Sequence, residues 1–234
     1  MAVLNQVEAI DESNWLLRLG DQISEPCAGR VRLAVDLARR GFGEQLVDII
    51  PSYTSVLLSF RAPVQDRRLL AKVLEALVSE VMQTQLEGIS GELVKIPVYY
   101  GDEVALDRAD VEQITGLRFD EICELHQRQA YRVYAIGFAP GFAYLGATPE
   151  AIRVARKSTP RLIVPKGSVA LADSQTAIYP ASSPGGWQII GRSPIEMVDW
   201  NRESPMRVNA GDQVQFYAIT REEFLALGGV LDAD

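Results

Sequence analysis

What this 234-residue sequence lacks narrows its chemistry first. It has one histidine, His126, and two cysteines, Cys27 and Cys123. A single histidine excludes a paired-histidine metal motif, and it leaves His126 alone for any Ser-His-Asp arrangement. Cysteines so far apart have no metal-ligand spacing, so no metal is expected and both read as reduced thiols of a cytoplasmic protein. Positive charge is scarce as well. The net charge is −8, from 23 Lys and Arg against 31 Asp and Glu, which argues against nucleic acid and anionic membranes, because both attract clustered cations. No run approaches the roughly 18 apolar residues of a membrane span. The N-terminal MAVLNQVEAIDESNW has neither the basic nor the long apolar segment of a secretory signal. Phosphate-binding motifs are missing too. Lys166-Gly167-Ser168 lacks the upstream glycine and the residue order of a Walker A loop, and Gly137, Gly141 and Gly146 do not make GxGxxG before a helix. Without a GxSxG elbow either, the chain shows no self-sufficient catalytic set.

What is present falls into two styles. Over the first ninety residues, short strands at 6–10, 15–19, 46–50 and 55–60 alternate with helices. Val31, Ala34, Val35 and Ala38 mark a helix over 28–40 that ends at Gly41, and Leu69, Leu70, Val73, Leu74, Leu77 and Val81 mark one over 66–86. A strand at 93–99 follows. The order strand–helix–strand–strand–helix–strand, with an extra strand in front, predicts a ferredoxin-like α+β sandwich. Gly88-Ile89-Ser90-Gly91 is the expected hinge, giving domains 1–91 and 92–234. Beyond it, helices are expected at 107–115, capped by Gly116, and at 121–128, with Asp120 as N-cap. From Tyr131 onward, short strands between Gly/Pro turns predict an all-β barrel or sandwich. The doublets Arg39-Arg40 and Arg67-Arg68 read as solvated helix faces.

The richest stretch runs from Tyr134 to Arg192. Gly, Pro and Ser are dense there, yet aromatic and aliphatic residues run through all of it, which points to rigid, shaped loops between strands and not to a linker. Phe138, Pro140, Gly141, Phe142 and Tyr144 read either as barrel filling or as an aromatic pocket wall with open backbone amides. Ser182-Ser183-Pro184-Gly185-Gly186-Trp187 is a tight loop or an anion-binding nest. Gln175, Thr176 and Tyr179 offer neutral polar contacts, and Arg161 and Arg192 offer forks for a carboxylate or phosphate. His126, near a helix C-terminus, either faces the helix dipole or serves as an acid/base at a substrate pocket.

These blocks, GFAPGFAYLG (137–146), PR (160–161), VPKGSVAL (164–171), QTAIYP (175–180), SPGGW (183–187) and IIGRSP (189–194), together with IPVYYG (96–101), LH (125–126) and AGDQVQF (210–216), closely resemble the allophanate hydrolase subunit 1 family. That family includes the B-type subunit of the ATP-dependent 5-oxoprolinase and the kinase inhibitor KipI. The resemblance implies an N-terminal α/β domain joined to a cyclophilin-like β-barrel. It also implies that ATP is used, and that two partners, a C-type protein (allophanate hydrolase subunit 2) and an A-type protein, join in hydrolysing 5-oxoproline to L-glutamate. A urea- or allophanate-type amide is another implied substrate. The KipI branch implies instead a regulatory protein that binds a sensor histidine kinase, and the barrel analogy implies, more weakly, a prolyl isomerase. Carried onto this sequence, the implied substrate contacts are Phe138, Pro140, Gly141, Phe142, Tyr144, Gln175, Thr176, Tyr179, Pro184, Gly185, Gly186, Trp187 and Arg192, with His126 as the catalytic candidate. The sequence departs from the family pattern at Ala143, Lys166, Asp173 and Ala177. Lys166 and Asp173 are expected to pair.

Overall fold

Alternation of burial along two of the first strands sets the small sheet. In the computed structural model, which describes residues 6–85, 91–202 and 204–231, the chain divides into units Met1–Ser90 and Gly91–Asp234. Of the expected hinge, Gly88, Ile89 and Ser90 lie outside the described residues.

In the first unit, β1 (Val7–Ala9), β2 (Asn14–Arg18), β3 (Leu46–Pro51) and β4 (Ser55–Phe60) form an antiparallel sheet of order β1-β2-β4-β3. Trp15 and Leu17 on β2, and Val56, Leu58 and Phe60 on β4, bury every second residue. They meet α1 (Glu25–Phe42) and α2 (Arg67–Gln83). Ser24 caps α1 by accepting from the Cys27 N–H, and Asp66 caps α2 by accepting from the Leu69 N–H. The α1 stripe is Cys27, Val31, Ala34 and Ala38. On α2 the buried stripe is Leu70, Leu74, Val78 and Val81. Leu69 and Val73 were expected on that face but are 59% and 44% exposed, because the packed stripe lies to one side of a broader apolar face. The strand at 93–99, expected to complete this sheet, belongs to the second unit, and β1 holds the edge beside β2.

The second unit is built on a curled seven-stranded sheet of β5 (Leu93–Val98), β6 (Ala130–Ile136), β7 (Ala143–Gly146), β9 (Ser168–Ala172), β10 (Gln175–Ile178), β12 (Gln188–Arg192) and β13 (Gln213–Ala218), in the order β12-β9-β10-β7-β6-β13-β5. Strands β8 (Arg161–Val164) and β11 (Ser183–Gly185) pair separately. All the pairings are antiparallel except β5 with β13. The two edges of the large sheet meet at one end, where Tyr99 and Arg192 exchange backbone hydrogen bonds of 2.9 and 2.8 Å. A Cβ on Gly191 would lie 2.8 Å from the Tyr99 carbonyl oxygen, so only glycine permits this approach.

Helices α3 (Arg108–Thr115) and α4 (Phe119–Gln127) supply Val111, Phe119, Ile122 and Cys123 to the core on one face of this sheet, which includes Val169, Leu171, Ile178 and Phe216. Gly116 caps α3 as expected. The N-cap of α4 is Arg118 and not Asp120: Glu121 reaches back to accept from the Arg118 N–H, leaving Asp120 in the first turn. Helix α5 (Arg221–Ala226) starts with a reciprocal Thr220–Glu223 cap.

One buried carboxylate fastens the β8 layer to the sheet. Asp107 accepts two hydrogen bonds from the Arg161 guanidinium (2.7 and 2.8 Å), one from Lys157 (2.7 Å) and one from the Ile189 N–H (2.8 Å). Burial pushes its carboxyl up, but the Arg161, Ile189 and Lys157 donors outweigh burial and hold it below the ordinary carboxylate range. Its stabilising contribution is therefore complete above the ordinary carboxylate pKa and is lost as pH falls through the lower folded-state value. Asp107→Ala strands the Arg161 guanidinium, leaves Lys157 with Asp110 alone and takes the acceptor from the buried Ile189 N–H. It should lower unfolding stability by about 3–5 kcal/mol at neutral pH, read as a fall in the denaturant midpoint. An unchanged midpoint would contradict this assignment.

Candidate functional site

The family-like blocks converge on a cleft of about 470 Å³. Pro165, Lys166 and Gly167 come from the turn before β9, Pro180, Ala181 and Ser182 from the turn after β10, and Arg192, Ser193 and Glu196 from the end of β12 and beyond. Gly167 is required twice over. Its φ is +81°, and a Cβ there would run into the Ser193 carbonyl oxygen. The Gly167 N–H donates to the Tyr179 carbonyl and its own carbonyl accepts from the Ser193 N–H, both at 2.8 Å, so the three turns are tied together.

Two cations line this cleft. Lys166 pairs with Glu196 at 2.6 Å and not with Asp173, which instead lies 3.8 Å from Arg156. Lys166 and Asp173 sit at opposite ends of β9, so they do not meet. Arg192 is buried, and its Nη1 donates to the Val230 and Leu231 carbonyls of the tail after α5, at 2.7 and 3.3 Å. The cleft thus combines a buried guanidinium, an ammonium held by a carboxylate, and the hydroxyl-bearing Ser182 and Ser193. Such a set suits a small molecule carrying one carboxylate and a few neutral polar groups.

The remaining residues expected at the site fall into separate groups. Phe142 is buried at the hub of four rings, 4.9 Å from Tyr144, 5.2 Å from Phe138, 5.3 Å from Tyr179 and 5.7 Å from Trp187. This cluster packs over the alanines Ala170, Ala172 and Ala177, so Ala177 presents its methyl to rings and takes an ordinary strand conformation. Ala143 is buried at the start of β7. Phe138 is the open member, 66% exposed at φ +70°. Pro140 and Gly141 form the turn beside it. Gln175 opens β10 opposite Gly146. Ser183, Pro184 and Gly185 form β11, which pairs with β8, while the Gly186 carbonyl accepts from the Lys157 N–H and the Trp187 N–H bonds the Tyr179 hydroxyl. Of the two expected readings of this segment, the pairing of Ser183 and Gly185 with β8 matches the tight loop. Arg161 is committed to Asp107 and not held ready for a ligand.

His126 and Thr176 meet on the helix-covered face of the sheet. His126 Nε2 bonds the Thr176 hydroxyl at 2.9 Å and Nδ1 bonds the Tyr100 hydroxyl at 2.8 Å. The ring stacks on Phe216 with centroids 4.5 Å apart and is fully buried. Burial drops its pKa to about 3, so it is neutral, with one nitrogen as donor and the other as acceptor between two hydroxyls that can each play either part. The expected dipole-facing or pocket-facing histidine is instead a core residue with both nitrogens occupied. Sequence reasoning missed Tyr100, Asp107, Lys157, Ser193 and Glu196. Tyr100 and Ser193 lie inside or beside the quoted blocks, so proximity to them was the available signal.

Residues 5–208 match the family profile described as carboxyltransferase domain, subdomain C and D. The chain belongs to this carboxyltransferase C and D family. Among relatives, the B-type 5-oxoprolinase subunit of Bacillus subtilis (strain 168) is 32% identical over 97% of this chain and 98% of its own length. Its Haemophilus influenzae counterpart is 41% identical over 64% of this chain and 70% of its own. The crystal structure of TTHA0988 superposes with a TM-score of 0.73 at 35% identity, covering 88% of this chain but only 40% of that longer one. The Kluyveromyces lactis urea amidolyase, at 19% identity and a TM-score of 0.72, shares the carboxyltransferase-type fold over 94% of this chain and 15% of its own. No helix among the described residues is long and apolar enough to cross a membrane.

The chain has one histidine. In this carboxyltransferase-family fold His126 is therefore the single group that takes up the most protons on unfolding between about pH 6.5 and 5. Carboxylates lowered in the fold, such as Asp107, add to it at the acid end. The folded pKa of His126 is depressed, so the unfolded chain binds the extra proton and stability falls as pH drops below about 6.5. Over 1.5 pH units the loss should reach about 2 kcal/mol. Urea unfolding at pH 6.5 and 5.0 measures it, and His126→Gln should remove most of the difference.

Proposed function

We propose that this chain is a cytoplasmic B-type subunit of an ATP-dependent 5-oxoprolinase, acting with C-type and A-type partners to hydrolyse 5-oxoproline to L-glutamate. The observation that carries this reading is the end-to-end match to the Bacillus subtilis protein, at 32% identity over 97% and 98% of the two chains. Fainter similarity to the urea amidolyase of Saccharomyces cerevisiae, 23% identical over 83% of this chain, fits a small amide as the substrate class.

The motif-lined cleft suits such a substrate. 5-Oxoproline carries one carboxylate on a compact lactam ring, and Arg192 and Lys166 are the cations positioned to receive it. Ser182 and Ser193 supply hydroxyls for the lactam. Of the contacts implied by resemblance, Arg192 keeps a direct role. Phe142, Tyr144, Tyr179 and Trp187 act as the scaffold that fixes the surrounding turns. His126 acts as a positioning residue beneath the sheet, holding Thr176 and Tyr100, and not as a proton carrier. Water adds across the lactam C–N bond while the assembled complex consumes ATP as co-substrate, and no residue of this chain is assigned to the nucleotide. In the same reading, 1–91 is a ferredoxin-like domain in which β1 takes the place of the last strand, and 92–234 is a cyclophilin-like barrel.

Mixing the purified chain with its cognate C-type and A-type partners should produce ATP hydrolysis that depends on 5-oxoproline, with none from the chain alone. Arg192→Met should lower kcat/KM roughly 10- to 150-fold, the effect of about 1.5–3 kcal/mol from a lost charged hydrogen bond. Lys166→Met should act mainly through KM, since Lys166 is the more exposed cation. Full activity without partners, or none after reconstitution, would refute the assignment.

A further inference from the structure

Arg192 lines the motif cleft, yet it is only 3% exposed. A carboxylate therefore reaches its guanidinium only after a covering group withdraws. The tail after α5 lies against it. Arg192 Nη1 donates to the Val230 carbonyl at 2.7 Å and to the Leu231 carbonyl at 3.3 Å, and Gly228, Gly229 and Val230 form part of the cleft wall.

The base of this tail is fastened and its far part is not. Phe224 of α5 is fully buried, with its ring 5.5 Å from that of Tyr99. Gly228, at φ +87°, ends the helix: its N–H donates to the Leu225 carbonyl at 3.0 Å, and the Gly229 N–H donates to the Phe224 carbonyl at 2.9 Å. Beyond Gly229, the hydrogen bonds that hold residues 230 and 231 among the described residues are the two from Arg192, and Val230 is half-exposed. A segment with so few buried contacts opens at low free-energy cost. Its carbonyls are also neutral acceptors, whereas a carboxylate in their place makes hydrogen bonds roughly twice as strong.

We propose that residues 230 and 231 are an autoinhibitory strap. Their carbonyls occupy Arg192 in place of a ligand carboxylate, and the anion enters as the strap lifts from Gly228 and Gly229. The inference rests on the reading of Arg192 as the carboxylate receptor of the cleft.

The test compares the ¹⁵N-labelled full chain with one ending at Gly229, each titrated with 5-oxoproline and with acetate and followed by NMR. In the full chain, the Val230 and Leu231 amides should move toward unstructured shifts in step with saturation of the Arg192 side-chain N–H signal. A strap closed about nine-tenths of the time weakens apparent affinity about tenfold, so the shortened chain should bind carboxylate about tenfold more tightly. Arg192→Met should release the Val230 and Leu231 amides with no ligand present, which decides the matter if the shortened chain fails to fold. Equal or weaker binding by the shortened chain would overturn the proposal, since a tail that merely orients Arg192 gives that result. So would tail amides that stay fixed while the Arg192 signal saturates, a tail still held in Arg192→Met, or no carboxylate at Arg192 in either chain. Acetate, the Arg192 variant and the absence of partners and ATP make these readouts independent of reconstituted hydrolysis, so the two failures are distinguishable.

Discussion

The second unit depends on the Asp107 carboxylate. An ion taken out of water is tolerated only when donors replace its hydration, and here a guanidinium fork, an ammonium and a backbone N–H do so. The carboxylate and its donors come from three segments distant in sequence: residue 107 before α3, residues 157 and 161 around the start of β8, and residue 189 in β12. Satisfying one side chain therefore requires all three to arrive together. A buried ion pair is weak evidence of net stability, but it penalises any arrangement that separates its members, which is how it specifies one packing. The Lys157 loop and the β8–β11 layer take their positions from it, while Gly167 ties the turns of the cleft to one another.

The sheet around which these segments gather is covered differently on its two faces. Where β9 and β10 turn Val169, Leu171 and Ile178 toward the helices, ordinary aliphatic packing fills the space. The opposite face carries Ala170, Ala172 and Ala177, and aromatic side chains make up the missing volume. Small residues beneath large rings let the covering loops approach the sheet closely, and edge-to-face contacts around Phe142 then fix their orientation. Both faces are buried, so β9 and β12 are buried at every residue with no alternation, and β9 reads as an apolar run after Ser168.

This explains what was legible in the sequence. The amphipathic helices and the alternating β2 and β4 announced themselves, because each buries a single face against a single neighbour. The pairing of residues 93–98 did not, because a parallel partner at 213–218 is a long-range choice that local order cannot reveal. Neither did Arg161, whose fork serves a carboxylate 54 residues away, nor His126, whose helix-end position concealed a neighbour 50 residues on in β10. The Gly/Pro-rich stretch was read correctly as shaped loops. Which of its residues face a cleft, and which face one another, depends on the fold.

Strand β12 shows how one irregularity separates two surfaces. Cross-strand partners share a face. Gln188 lies opposite Leu171, on the helix-covered side, and Ile189 lies opposite Ala170, on the aromatic side. In a regular strand, residues 188 and 192 would point the same way, since side chains repeat every two residues. The register shifts between Ile189 and Gly191, so Arg192 lies opposite Ser168, two residues from Ala170 and on the face away from Gln188. Gly191 permits the close approach of Tyr99 that holds this shifted backbone in place. The two ends of the strand are also about 13 Å apart at the usual rise per residue. Gln188 and Arg192 therefore serve different surfaces, and any influence between them must pass through the strand that Asp107 grips at Ile189.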